Sequence, residues 1–255
     1  MLEKFRKAKQ PEIDRLIQLD RIGGVPSPRV DPRPSFSEAL AGKRGAVIAE
    51  YKRASPSKGE INLELTPEDV AAAYAASGAA AISVLTEEVY FKGSLDYLET
   101  MSRFGTPLLR KDFILHPLQV LETAATAASA LLLIVRMLPD EDLRELLDLT
   151  RSQGLDAVVE AFDEADLDRA REVGASIIQI NNRDLDKLTT DLGVSERLIH
   201  KKRPDEIWIS ASGIFKRNEV DRMADLGFEA VLVGASLMAN GDPGAALAEL
   251  TGQSA

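Results

Sequence analysis

The 255-residue chain predicts a (β/α)8 barrel with an N-terminal helical extension. Three observations lead there. From Ala46 onward, eight short apolar runs alternate with amphipathic stretches, and the runs start about 20 to 35 residues apart, the length of one strand-plus-helix unit. The runs are continuous rather than alternating, as in Leu131-Leu132-Leu133-Ile134-Val135, which suits strands covered on both faces. No Gly-x-Gly-x-x-Gly follows the first run and no Walker-type loop occurs, so the competing open doubly wound sheet lacks its usual ligand signature.

Met1 to about Asp20 reads as helical, with Leu2, Phe5, Ile13, Leu16 and Ile17 on one face and Pro11 expected to break or restart the helix. A Pro- and Gly-rich loop from Gly23 to Pro34 leads to Ser35 and Glu38, spaced as a capping box. Residues 1–45 are too few to bury their own core. They are read as an extension of one domain whose barrel occupies 46–255. The expected strands are Ala46–Tyr51, Ala80–Leu85, Thr106–Arg110, Ala130–Val135, Asp156–Glu160, Ser176–Ile180, Glu206–Ser210 and Ala230–Val233. Between them, Thr66-Pro67 is a helix start, and Asp140–Arg151, Asp163–Val173 and Lys216–Leu226 carry apolar residues at helical spacing. Gly78, Gly154, Gly174 and Gly227 stand where helices should close.

Composition narrows the function. Hydrophobic residues make up 45% and charged residues 28%, which is globular rather than disordered. The absence of cysteine excludes a disulfide scaffold, a cysteine nucleophile and a thiolate metal site. His116 and His200 are too few for a histidine-rich metal centre, so no metal is expected. A net charge of −10 provides no global field for nucleic acid or anionic lipid. No apolar run is of membrane-spanning length and the start lacks a signal-peptide core. A cytoplasmic protein without nucleic-acid or membrane partners is therefore expected, in which a local basic pocket for an anionic metabolite remains allowed.

Barrel enzymes place their chemistry at the C-terminal strand ends. Those ends here carry Glu50 and Lys52, Glu87, Lys111, Arg136, Glu160, Asn181 and Arg183, then the small residues Ser212-Gly213 and Gly234-Ala235-Ser236. The last two ends suit an anion held by backbone N–H groups, with Lys52 and the Ser55–Gly59 loop facing them across the barrel closure. Lys111 is a candidate proton donor and Glu160 a candidate acceptor. Arg183 offers a two-point grip on a carboxylate, and Asn181 can orient a polar group.

Together these motifs resemble the indole-3-glycerol phosphate synthase family. The matching segments are Ile48-Ala49-Glu50-Tyr51-Lys52-Arg53-Ala54-Ser55-Pro56-Ser57-Lys58-Gly59, Ile82–Glu87 with Phe91-Lys92-Gly93-Ser94, Leu109–Ile114, Ile180–Leu185, Ser212-Gly213-Ile214 and Val233–Met238. They run in order across almost the whole chain. The resemblance implies a TIM barrel that closes the indole ring of 1-(2-carboxyphenylamino)-1-deoxyribulose 5-phosphate, releasing carbon dioxide and water, without metal or organic cofactor. It implies Lys111 as general acid and Glu160 as general base or dehydration catalyst. Lys52 would contact the substrate's anionic groups, and Glu50 would orient the lysines. Asn181 and Arg183 would hold the carboxylate. Ser55, Ser212, Gly213, Gly234 and Ala235 would line the phosphate cup, and Phe91, Phe113 and Leu132 would flank the ring, with Leu188 a further wall candidate.

The chain departs from the family pattern at Ala211, where a Glu usually precedes Ser-Gly, and at Ala239, where Arg is frequent. Two rivals to this reading are an isomerase-type barrel acting on a sugar phosphate and a catalytically weak phosphate-binding relative. Against the first, the chain has one cup, no Cys and a lysine at the third strand. A small anionic substrate is the expected partner, with a monomer or weak homodimer as the state. The polar, Gly-containing Ala54–Leu65 loop is expected to act as a lid.

Overall fold

The computed structural model of the chain describes residues 1–184, 187–239 and 241–253. Leu185 of the sixth motif lies outside the described residues. Eight parallel strands close a barrel in sequential order: β1 Ala46–Tyr51, β2 Ala81–Leu85, β3 Leu108–Lys111, β4 Ala130–Ile134, β5 Asp156–Ala161, β6 Ile177–Asn181, β7 Ile207–Ala211 and β8 Ala230–Val233. β8 returns to β1 with Ala46 opposite Ala230 and Ala49 opposite Val233. The TIM-barrel expectation therefore holds.

Several strand bounds shift by one or two residues. The third strand starts at Leu108 and not Thr106, because Pro107 has no N–H for the ladder. The third, sixth and seventh strands each run one residue further than expected, through Lys111, Asn181 and Ala211. These three residues thus sit on paired, rigid backbone rather than on loops. The fourth strand ends at Ile134, with a 3-10 turn taking Val135.

Side chains divide by strand parity. On β6, Ile178 and Ile180 face the surrounding helices while Ile177 joins the interior cluster. Interior positions low in the barrel are apolar: Ile48, Ala81, Leu109, Ala130, Val158, Ile177, Ile209 and Ala230. A fully buried Leu, Ile or Phe contributes about 1.5–3 kcal/mol. The interior is thus a packed plug that leaves only its upper layer open to chemistry.

The extension closes both ends. Helix α1 (Leu2–Arg21) crosses the strands' C-terminal mouth and α2 (Phe36–Leu40) caps the opposite end. In α2, Ser35 accepts from the Glu38 N–H, Phe36 and Leu40 are buried, and the Ser37 N–H donates to Asp156 at the start of β5. The break expected at Pro11 does not occur; α1 runs through it. An interior proline costs a helix about 3 kcal/mol. Phe5 before it and Ile13 and Leu16 after it are all buried, and Lys9 is ion-paired into the barrel, which offsets that cost. The other start and stop signals hold. Thr66 and His116 cap their helices, and the four expected glycines take positive φ. Trp208 is buried, its indole N–H donating to Glu206.

Candidate active site

Glu50 is the hub of the upper layer. It shares the inward face of β1 with Ile48 and is 1% exposed. Its Oε1 pairs with the Lys52 ammonium, and its Oε2 lies 3.6 Å from Lys111 Nζ and accepts from the Ser83 hydroxyl at 3.2 Å. Burial pushes the Glu50 carboxyl toward the neutral form. Lys52 and Lys111 outweigh it and hold the group below the usual glutamate range, hence ionised. Burial likewise opposes the charge on Lys111, yet Glu50 and then Glu160 hold its ammonium above the ordinary lysine range. The two lysines, from the ends of β1 and β3, are thus fixed by one carboxylate.

Glu160, on β5, faces the same cleft and is buried; the side-chain amide of Gln179 on β6 donates to its Oε2. The cleft holds about 960 Å³ of atom-free space, partly open to solvent. Its apolar wall combines the expected Phe91, Phe113 and Leu132 with Ile134, Phe162 and Leu188. Leu188 takes φ 61, a left-handed conformation unusual for leucine, and its carbonyl accepts from Arg183 Nη1 at 2.9 Å. Asn181 Oδ1 accepts from the Arg183 N–H at 3.0 Å, so these two residues are mutually braced at the cleft rim.

A second cavity adjoins the first and shares Lys52, Lys58, Lys111, Asn181, Arg183, Ser212 and Ala235 with it. Glu50, Gly213, Gly234 and Ser236 are also among its lining residues, and Ser55 lies on the neighbouring cleft wall. Ser212 and Gly213 take φ 71 and 85 in succession, a turn that Asn182 holds by donating to the Ala211 and Ser212 carbonyls. A Cβ at Gly234 would stand 2.4 Å from Glu50 Oε1, so any side chain there would force the hub carboxylate or the backbone after β8 to shift. The cup is small-residue backbone ringed by cations, an arrangement that suits a phosphate. All fourteen residues expected to act together line one or other of these cavities.

Other charged strand ends do different work. Arg136 pairs with Asp163 and Asp166 and lies 4.6 Å over the Phe162 ring. Arg53 clamps the Ala54–Leu65 loop, donating to the Tyr97 hydroxyl and the Leu63 carbonyl. That loop carries a small hairpin in which Ala54 and Ser55 pair with Glu60 and Gly59.

Three contributors escaped the sequence reading of the site. Phe5 stacks on Phe113 at 4.3 Å, so the extension supplies part of the apolar wall. Lys9, 3% exposed, pairs with Asp112 next to Lys111; Asp112 also receives Arg110 and the Thr86 hydroxyl. Gln179 is the third, and of the three it alone had a visible signal, a lone amide inside an otherwise apolar strand. Glu87, a charged strand end in the sequence, accepts from the N–H groups of Val89, Tyr90 and Phe91, which seats the Phe91 ring.

Among the described residues no three His, Cys, Asp or Glu side chains converge as a metal-binding group, and no helix is long and apolar enough to cross a membrane. The chain is similar in fold to 3-hexulose-6-phosphate synthase (TM-score 0.66, 16% identity, 82% of this chain and all of that one). It is similarly close to a chain of the tryptophan synthase α2β2 complex of Pyrococcus furiosus (TM-score 0.63, 15% identity, 82% and 99% covered). These likenesses bear on the barrel alone. The family model described as indole-3-glycerol phosphate synthase matches residues 2–250. Relatives of that name include proteins of Desulfosudis oleivorans (48% identical; 91% of this chain, 81% of the relative) and Aquifex aeolicus (41%; 98% of each). Residues 2–250 take in every strand and both cavities, and the chain belongs to the indole-3-glycerol phosphate synthase family.

Proposed function

We propose that the family's reaction is divided among these residues by their geometry. The activity is the decarboxylating, dehydrating ring closure that yields indole-3-glycerol phosphate in tryptophan biosynthesis. The phosphate sits in the Ser212-Gly213 and Gly234-Ala235 cup beside Lys52 and Ser55. The anthranilate ring lies between Phe91, Phe113 and Leu132, its carboxylate held by Arg183 and Asn181. Ring carbon attack on the ketone converts the carbonyl oxygen to a hydroxyl, and Lys111 supplies the proton. Carbon dioxide then leaves from the same carbon. Loss of water removes one proton to a base, Glu160, while Lys52 or Lys111 protonates the departing hydroxyl.

One observation carries this assignment: the buried Glu50 carboxylate bridges Lys52 and Lys111, with Glu160 on the same cleft. It holds both lysine side chains beside an apolar slot. Turnover with the carboxyphenylamino substrate, followed by indole absorbance, tests it. Lys111→Ala in folded protein is expected to lose about 10²- to 10⁴-fold in kcat, the usual worth of a positioned acid. An unchanged kcat would assign the proton to another group. One domain spanning 1–255, a cytoplasmic location, a monomer or weak homodimer, and catalysis without metal or organic cofactor complete the proposal.

A further inference from the structure

We infer that Gln179 is a positioning residue for the reaction, fixing the carboxylate of Glu160 from below; this rests on the role assigned to Glu160. Gln179 is fully buried on β6. Its neighbours Ile178 and Ile180 face the helices and Ile177 faces the interior, so the amide points into the barrel. In register it lies between Glu160 of β5 and Ile209 of β7, one layer beneath the cleft. Its Nε2 donates to Glu160 Oε2, while its Oε1 is buried with no hydrogen-bond partner among the described residues.

The amide cannot be turned round. Exchanging its nitrogen and oxygen would set a carbonyl against a carboxylate, two acceptors face to face. With this orientation one Glu160 oxygen is engaged, which fixes the rotation of the carboxylate. The unpartnered oxygen is the telling feature. A buried polar atom with no partner opposes folding, and an apolar side chain of the same shape would pack at this place without that penalty. Local packing rules are broken in this way where function requires it. Asp166 accepts from the Phe162 backbone N–H just past Glu160 and so holds backbone, whereas Gln179 holds the carboxylate itself.

The test is Gln179→Met, which keeps length and volume and removes the donor. The expected result is a kcat about 10- to 100-fold lower, part of the roughly 10²- to 10⁴-fold a well-placed base supplies. KM should stay within about twofold; in Tm the loss of the orphan oxygen and the loss of the Glu160 donor oppose each other, so kcat is the discriminating readout. A merely structural role would lower Tm and leave kcat of the folded protein within about twofold. Repeating the substitution on Glu160→Gln isolates the coupling, because a residue that acts through Glu160 has no further effect once the carboxylate is lost. A kcat within twofold of wild type, or equal losses on both backgrounds, would overturn the inference. Glu160→Gln alone tests the underlying reading. If that variant keeps full activity, the role of Glu160 fails; if it collapses while Gln179→Met does not, only the positioning role fails. Should the thioether not pack, Gln179→Leu removes the donor with a different apolar side chain, and full activity in that variant would equally overturn the inference.

Discussion

Replacing Glu50 by Gln removes one charge and almost no volume, and its effect on Lys111 can be worked from the structure. At 3.6 Å the pair attracts. In an effective dielectric of about 20 the energy is about 4–5 kcal/mol. Burial already opposes the Lys111 charge, and Glu50 is the larger of the two carboxylates that reverse it. Without Glu50 only Glu160 remains, and the ammonium loses the larger part of what holds it above the ordinary lysine range. The protonated form is the proposed acid, so the alkaline limb of kcat against pH should move down. Two ammonium groups left without their shared carboxylate should also lower Tm by about 5–10 °C at neutral pH. The assay is turnover across pH 6 to about 11 on wild type and Glu50→Gln, with folding checked by circular dichroism; wild type should hold its kcat to the top of that range and the variant should lose it within the range. A folded variant that holds its kcat as far as wild type does would refute the reasoning, because the alkaline limb would then belong to a group Glu50 does not hold.

Gly234→Ala should be nearly as damaging. The new Cβ must displace the Glu50 carboxylate that lies 2.4 Å away, and kcat should fall about 100-fold while KM rises, as hub and cup are both disturbed; unchanged kinetics would show that the β8 backbone gives way. Acid stability follows from two depressed carboxylates. Burial would raise Glu50 and Asp112, but their cations hold both below the ordinary values of 4.5 and 3.8. Their contribution is present at neutral pH and is lost as pH falls below those values, so Asp112→Asn should flatten the acid side of a Tm-against-pH curve. Ala211→Glu should change kcat by less than about threefold, because Glu50 already serves both lysines and Glu160 is held by Gln179. A rise of tenfold or more would show that the native site lacks a carboxylate it needs.

The strands were legible because burial on both faces writes continuous apolar runs such as Leu131–Val135, and the site was legible because charge at the end of such a run has few structural uses. The family motifs then tied Lys111, Glu160 and Arg183 to one chemistry. What stayed hidden depends on pairings distant in sequence. Lys9 and Asp112 are an unremarkable lysine and aspartate until α1 is laid across the barrel mouth. Phe5 reads as one more apolar position on an amphipathic helix, and only the fold sets it on Phe113. Pro11 misled for the same reason. Local propensity argues for a break, whereas the buried residues on both sides of it bind one continuous helix to the barrel.

The charges of the cleft explain how an acidic chain takes an anionic substrate. Among the described residues, four cationic side chains line the two cavities: Lys52, Lys58, Lys111 and Arg183. Of the carboxylates present, Asp112 is committed to Lys9 and Arg110. Glu50, Glu87 and Glu160 remain to face four cations, which leaves an excess of positive charge inside a protein of net charge −10. The substrate brings a phosphate and a carboxylate. The product keeps only the phosphate, because the carboxylate has left as carbon dioxide. The Arg183 end of the cleft therefore loses its counter-ion during the reaction while the cup keeps its own. Arg183→Lys, which keeps the charge but loses the two-point grip, should raise KM for the substrate about 10-fold and leave product inhibition within about twofold. Equal weakening of substrate and product would place Arg183 on the phosphate instead of the carboxylate.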